Sequence, residues 1–122
     1  MAKAGIQQQY GLFINGEFVP ASDGAAFDAH NPANGEHLAY FAEATKEDVD
    51  AAVKAARAAL PEWSKTSPIE RQNILLKIAD IIDANLDHLA LVETLDNGKP
   101  IRETTAADIP LGSDHFRYFA GC

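Results

Sequence analysis

The stretch Thr45-Lys46-Glu47-Asp48-Val49-Asp50-Ala51-Ala52-Val53 is where the apolar rhythm of this chain changes. Thr45 is a capping residue, and Glu47, Asp48 and Asp50 place negative charge at the positive end of a helix dipole. Val49, Ala52, Val53, Ala56 and Leu60 then recur at helical spacing. Pro61 is expected to end this first helix, because proline has no N–H to donate.

Upstream of Thr45 the signals are those of strands. Leu12-Phe13-Ile14-Asn15-Gly16-Glu17-Phe18-Val19 has two short apolar arms around Asn-Gly, the pair suited to the positive φ angles of a type I′ hairpin turn. Ala25 to His30 and His37 to Ala42 form a second extended pair around Asn31-Pro32-Ala33-Asn34-Gly35. Downstream the signals are helical. Ser67-Pro68-Ile69-Glu70 combines a cap, proline at the first helical position and a glutamate that closes a capping box. Ile74, Leu75, Ile78, Ile81 and Ile82 follow on one face. A third helix is expected from about Leu86 to Asp96, stopped by Asn97-Gly98. From Ile101 to Cys122, Ile109, Gly112, Phe116 and Phe119 should share a side, with Pro110 kinking or restarting the helix.

With 122 residues the chain holds one core or part of one. Its apolar helix faces call for a second layer that the few extended pieces look too short to supply, so that layer is expected downstream. The net charge of −8 carries no basic stripe, which argues against nucleic acid as a partner. No segment approaches the roughly 18 apolar residues of a membrane helix, and the first residues lack a secretory h-region, so a cytoplasmic location without membrane contact is expected. The single cysteine, Cys122, excludes an internal disulfide framework. It reads as a small hydrophobe with no base identified beside it.

Motifs for chemistry are missing. The glycines form neither G-x-G-x-x-G nor a phosphate loop, and His30, His37, His88 and His115 lack metal-ligand spacing. Asp80, Asp83 and Asp87 read as a solvated helix face, and Trp63 as packing between helices.

The ordered series Phe13 to Val19, Asn31-Pro32-Ala33-Asn34-Gly35-Glu36, Glu47 to Val53, Trp63-Ser64, Arg71, Leu91-Val92-Glu93-Thr94-Leu95-Asp96-Asn97-Gly98-Lys99-Pro100 and Asp114-His115-Phe116-Arg117-Tyr118-Phe119-Ala120-Gly121 closely resembles the aldehyde dehydrogenase superfamily. Each piece is weak alone, and their order is specific. Asn97 to Thr104 and Ala106 to Leu111 look most like bacterial enzymes for acetaldehyde and other short aliphatic aldehydes, with betaine-aldehyde-type enzymes as neighbours.

The resemblance implies an α/β parent with a Rossmann-like fold, of which this segment supplies β-hairpins followed by about four helices. Residues 1–11 are read as a tail. Residues 12–122 are read as the first part of the cofactor-binding domain, ahead of the Rossmann core and of the catalytic and oligomerisation regions. It further implies NAD or NADP as cofactor, an aldehyde as substrate and a homodimer or homotetramer. In the family a cysteine thiolate attacks the aldehyde, hydride passes to the nicotinamide, and a glutamate-activated water releases the acid from the thioester. An asparagine and a backbone N–H hold the oxyanion. No position here matches the cysteine, glutamate or asparagine, so the 122-residue chain is expected to be inactive alone. A non-catalytic module that docks on full-length subunits is the alternative.

One site is implied within this segment. In potassium-dependent relatives an aspartate matching Asp96 joins backbone oxygens matching Ala29 and His30 around a potassium or sodium ion. Asp96 faces the negative end of a helix dipole, a cost that such an ion or Lys99 would offset. The family usually has a β-branched or small apolar residue where His30 stands, a change that a carbonyl ligand tolerates. The plain alternative is that Asp96-Asn97-Gly98 is only a helix-stopping turn.

Overall fold

The structure, a computed structural model, describes residues 5–122. The first four residues of the expected tail lie outside the described residues. The chain divides into two compact units, one of Ile6–His30 with Glu36–Lys65, the other including Asn31–Gly35 and Thr66–Cys122.

In the first unit the hairpin forms as its turn residues require. Strands β2 (Leu12–Ile14) and β3 (Glu17–Val19) pair antiparallel, with Asn15 at φ 54° and Gly16 at φ 85° between them. Both angles lie in the left-handed region that a type I′ turn demands. Strands β4 (Ala26–His30) and β5 (His37–Ala42) also pair antiparallel, and the register shifts between Ala29 and His30. The expected tail is only partly a tail. Gln9–Tyr10 forms a strand, β1, parallel to β5, giving a sheet of order β1-β5-β4. Tyr10 stacks on Phe41 with ring centroids 4.9 Å apart, and Phe27 flanks Phe41 at 5.8 Å. This cross-strand ladder of rings supplies contact that a two-residue strand lacks by itself.

Helix α1 runs Lys46–Trp63, so Pro61 lies inside it and does not end it. A proline this near a C-terminus removes one backbone bond and leaves the final turn intact; Ser64 N–H still donates to Leu60 O at 2.8 Å. The sheltered side of α1 also departs from the expected stripe. Asp48 is buried and Ala52 and Ala55 are half-buried, whereas Val49, Val53 and Leu60 are about half exposed. Trp63, read as packing, is 48% exposed.

The second unit is helical. Helix α2 (Pro68–Ala84) begins at the expected Ser67–Glu70 capping box, and α3 (Leu86–Asn97) stops at Gly98, whose φ is 82°. A short turn, α4 (Ile101–Glu103), runs through a π-turn at Thr104–Asp108 into α5 (Ile109–Ala120), where Pro110 sits in the first turn. Helix α5 packs along α2. Its sheltered row is Ile109, Ser113, Phe116 and Ala120; Phe119, expected on that row, is 58% exposed. Among the described residues no helix is long and apolar enough to cross a membrane.

Candidate functional site

The start of α1 is closed on itself. Asp48 Oδ2 lies 2.9 Å from Thr45 N, 3.0 Å from Thr45 Oγ1, 3.1 Å from Ser22 N and 3.3 Å from Ser22 Oγ. Backbone N–H bonds from Thr45 and then Ser22 hold the Asp48 carboxyl below the usual carboxylate range, against the opposing effect of burial. At α2 the same device recurs, where Ser67 N and Oγ donate to Glu70 Oε2 at 2.9 and 2.7 Å and lower its pKa. A phosphate-binding helix start offers free N–H groups and no competing anion. These two starts carry their own carboxylates instead, so the described residues do not fit a nicotinamide dinucleotide at either one.

Between α2 and α5 the chain builds a polar clasp that the sequence pattern did not reveal. Arg117 Nη2 reaches Asp80 Oδ1 at 2.8 Å and Asp83 Oδ2 at 2.7 Å, and Arg117 Nη1 donates to Ser113 Oγ. Ser113 is 1% exposed and its hydroxyl also points at Ala79 O, 3.4 Å away. Hydrogen bonding from Ser113 is the leading cause that lowers the Asp83 pKa, followed by Arg117. Two of the three aspartates read as a solvated face are therefore ion-pair partners. The available signal was Arg117 four residues after a serine on the facing helix, which identifies nothing until the two helices are known to pack.

The outer side of α5 is apolar. Leu111, Asp114, His115, Tyr118 and Phe119 line a cleft of about 390 Å³, and His115 and Phe119 also border a smaller one of about 220 Å³ with Leu75 and Phe116. His115 Nδ1 lies 2.7 Å from Leu111 O, which occupies that nitrogen. Cys122 is exposed, and its Sγ sits 3.6 Å from Tyr118 O. The cleft can receive an apolar group, and among the described residues that line it there is no serine, threonine, cysteine or lysine to act as a nucleophile.

The three residues of the implied cation site fall in different units. Ala29 and His30 end β4, where the register shift takes the backbone out of the regular ladder. Asp96 is exposed in the last turn of α3, in the helical unit. Lys99 is not its counterion: Lys99 Nζ pairs with Asp108 Oδ2 at 2.6 Å, and that bond raises the lysine pKa. No cluster of three or more His, Cys, Asp or Glu side chains able to hold a metal occurs among the described residues. Of the histidines, His37 Nε2 lies 3.2 Å from Asp28 Oδ1 and its ring meets those of His30 and Tyr40.

Residues 18–122 match the model of the aldehyde dehydrogenase family. The chain is 57% identical over 117 residues to an acetaldehyde dehydrogenase of Pseudomonas aeruginosa, an alignment covering 96% of this chain and 23% of the relative. It is 50% identical over 121 residues to a long-chain-aldehyde dehydrogenase of an Acinetobacter species, covering 99% of this chain and 24% of that one. The NAD+ complex of an aldehyde dehydrogenase from Bacillus cereus superposes with a TM-score of 0.93 at 42% identity, over 98% of this chain and 25% of the other. The chain thus spans about a quarter of the length of the relatives it matches.

Proposed function

This chain belongs to the aldehyde dehydrogenase family, and from that premise we propose that it forms the first part of the cofactor-binding domain of an enzyme oxidising an aldehyde to its carboxylic acid. The observation that carries the reading is 57% identity, extending over nearly the whole chain, to an acetaldehyde dehydrogenase. The reaction proceeds through a cysteine thioester, with NAD or NADP accepting hydride. Nucleophile, general base and oxyanion asparagine come from polypeptide outside these 122 residues, and the enzyme works in the cytoplasm as a homodimer or homotetramer. The substrate is a short aliphatic aldehyde such as acetaldehyde. Similarity to a long-chain enzyme favours a second reading, a long aliphatic aldehyde. Ratios of kcat/KM for acetaldehyde and a long-chain aldehyde, measured on the intact enzyme with each nicotinamide, decide between them. A ratio above one supports the first reading, and turnover of neither aldehyde overturns both.

The contribution of this chain is scaffolding and, in our reading, one half of a monovalent-cation site. Asp96 stands in the last turn of α3 while Lys99 pairs with Asp108, and the register shift between Ala29 and His30 takes their backbone out of the regular ladder. Hard oxygen ligands suit potassium or sodium. The thermal midpoint of the intact enzyme should rise in potassium relative to a bulky organic cation, and Asp96→Ala should abolish the rise. An equal rise in the variant leaves Asp96 a turn residue.

A further inference from the structure

Thr104 and Ser113 are both almost wholly buried, at 0% and 1% exposure, and they belong to one helical run from Ile101 to Ala120. An α-helix turns about 100° per residue, so an uninterrupted helix would set these positions roughly 180° apart. The two hydroxyls would then point to opposite sides of the run. Instead Thr104 Oγ1 meets Thr94 Oγ1 of α3 at 2.9 Å, and Ser113 Oγ points at Ala79 O of α2.

The reconciliation lies in the π-turn between them. Ile109 N–H donates to Thr104 O, five residues back, so this turn carries one residue more than an α-turn. The extra residue brings the two buried positions to within roughly 80° of each other. It sits just before Pro110, which could not have donated to Ala106 O in any case, so the irregularity falls where the helical ladder is already interrupted. Thr104 Oγ1 also lies 3.1 Å from Ile101 O, which ties the preceding turn to the same side chain.

We propose that the π-turn Thr104–Asp108, held by the Thr94–Thr104 hydroxyl pair, is a phase-setting device for α5. It turns Ser113 and Arg117 onto α2 and leaves Leu111, His115, Tyr118 and Phe119 on the outer, cleft-bearing side. The identity of the cleft's occupant does not enter, and the device stands apart from the aldehyde reading. A loss of one residue between 104 and 108 rotates the outer face by about 100°, whereas a substitution on that face leaves its direction unchanged.

Thiol labelling of the 122-residue chain reads the phase directly. In a Cys122→Ser background, single reporters are placed at Leu111→Cys and Ser113→Cys. With the native turn, the reporter at 111 should react at least ten-fold faster than that at 113. Deletion of Ala106 should bring that ratio to one or below, and retention of the ten-fold ratio overturns the proposal. If the deletion unfolds the chain, seen as both thiols reacting at the urea-unfolded rate, two milder variants decide. Thr94→Val and Thr104→Val should each lower the ratio at least three-fold, and the double variant no further than either alone. A ratio unchanged by both contradicts the lock.

Discussion

At the start of α1 the N–H and hydroxyl groups of Ser22 and Thr45 converge on one buried carboxylate, whereas on the outer face of α5 Leu111, Tyr118 and Phe119 stand 56%, 69% and 58% exposed. The first region is locally complete: its donors and acceptors satisfy one another, and substitutions there act on folding. The second is open, and its apolar area contributes little to this chain's stability. Apolar side chains clustered and exposed on one face are open to contact with other protein or ligand groups. The closed region serves folding, together with the buried alanines Ala39, Ala79 and Ala90, and the large apolar side chains on the outer face of α5 remain open to other contacts.

If that division is right, the largest effects come from the closed regions. Ala79 is fully buried where α2 packs on α5, so Ala79→Leu should overpack the contact and cost about 1–3 kcal/mol in a urea melt. A cost near zero there would mean the two helices are loosely seated. Next comes Gly98→Ala. The backbone has φ 82°, and an added Cβ would lie 3.0 Å from Pro32 Cγ, so a loss of roughly 1–2 kcal/mol is expected. An unchanged melt would contradict the left-handed stop of α3.

Acid separates the two regions in another way. The Asp48, Glu70 and Asp83 carboxyls all have pKa values lowered by hydrogen bonds in the folded chain. Each therefore contributes stability that is present above its unfolded value, about 3.9 for an aspartate and about 4.3 for a glutamate, and is lost as pH falls through the lowered value. The thermal midpoint should fall as pH drops below about 4. Asp48→Asn, which cannot gain that proton, should flatten the slope, and an identical slope would remove Asp48 from the explanation. The smallest effect belongs to α5. Leu111→Ser and Phe119→Ser should each stay within about 0.5 kcal/mol of the parent while lowering the fluorescence of a bound apolar dye.

Much of the fold was legible because its signals are local. Asn15-Gly16 dictates its hairpin, and the pairs Ser67 with Glu70 and Asn97 with Gly98 mark helix ends, each through bonds that reach only a few residues. What escaped is non-local. Strand β1 exists through pairing with β5, some thirty residues on, and nothing in Gln9-Tyr10 announces it. The inward side of α1 follows Asp48, Ala52 and Ala55 because Asp48 is tied to Ser22, so the more apolar stripe through Val49 and Val53 lost to one buried carboxylate. Pro110 signalled an irregularity without saying that an extra residue precedes it. Asp96 was singled out through family resemblance, while its Lys99 neighbour turned to Asp108, a partner nine residues away that spacing alone would not select.

The most direct measurement is reduced-nicotinamide formation from acetaldehyde by the 122-residue chain and, in parallel, by the same chain extended through the family's catalytic cysteine and glutamate. The chain alone should give no signal above a blank, and the extended protein should turn over with NAD or NADP. Turnover by the chain alone, or its absence from a folded extended protein, would contradict the reading of this segment as scaffold for chemistry supplied elsewhere.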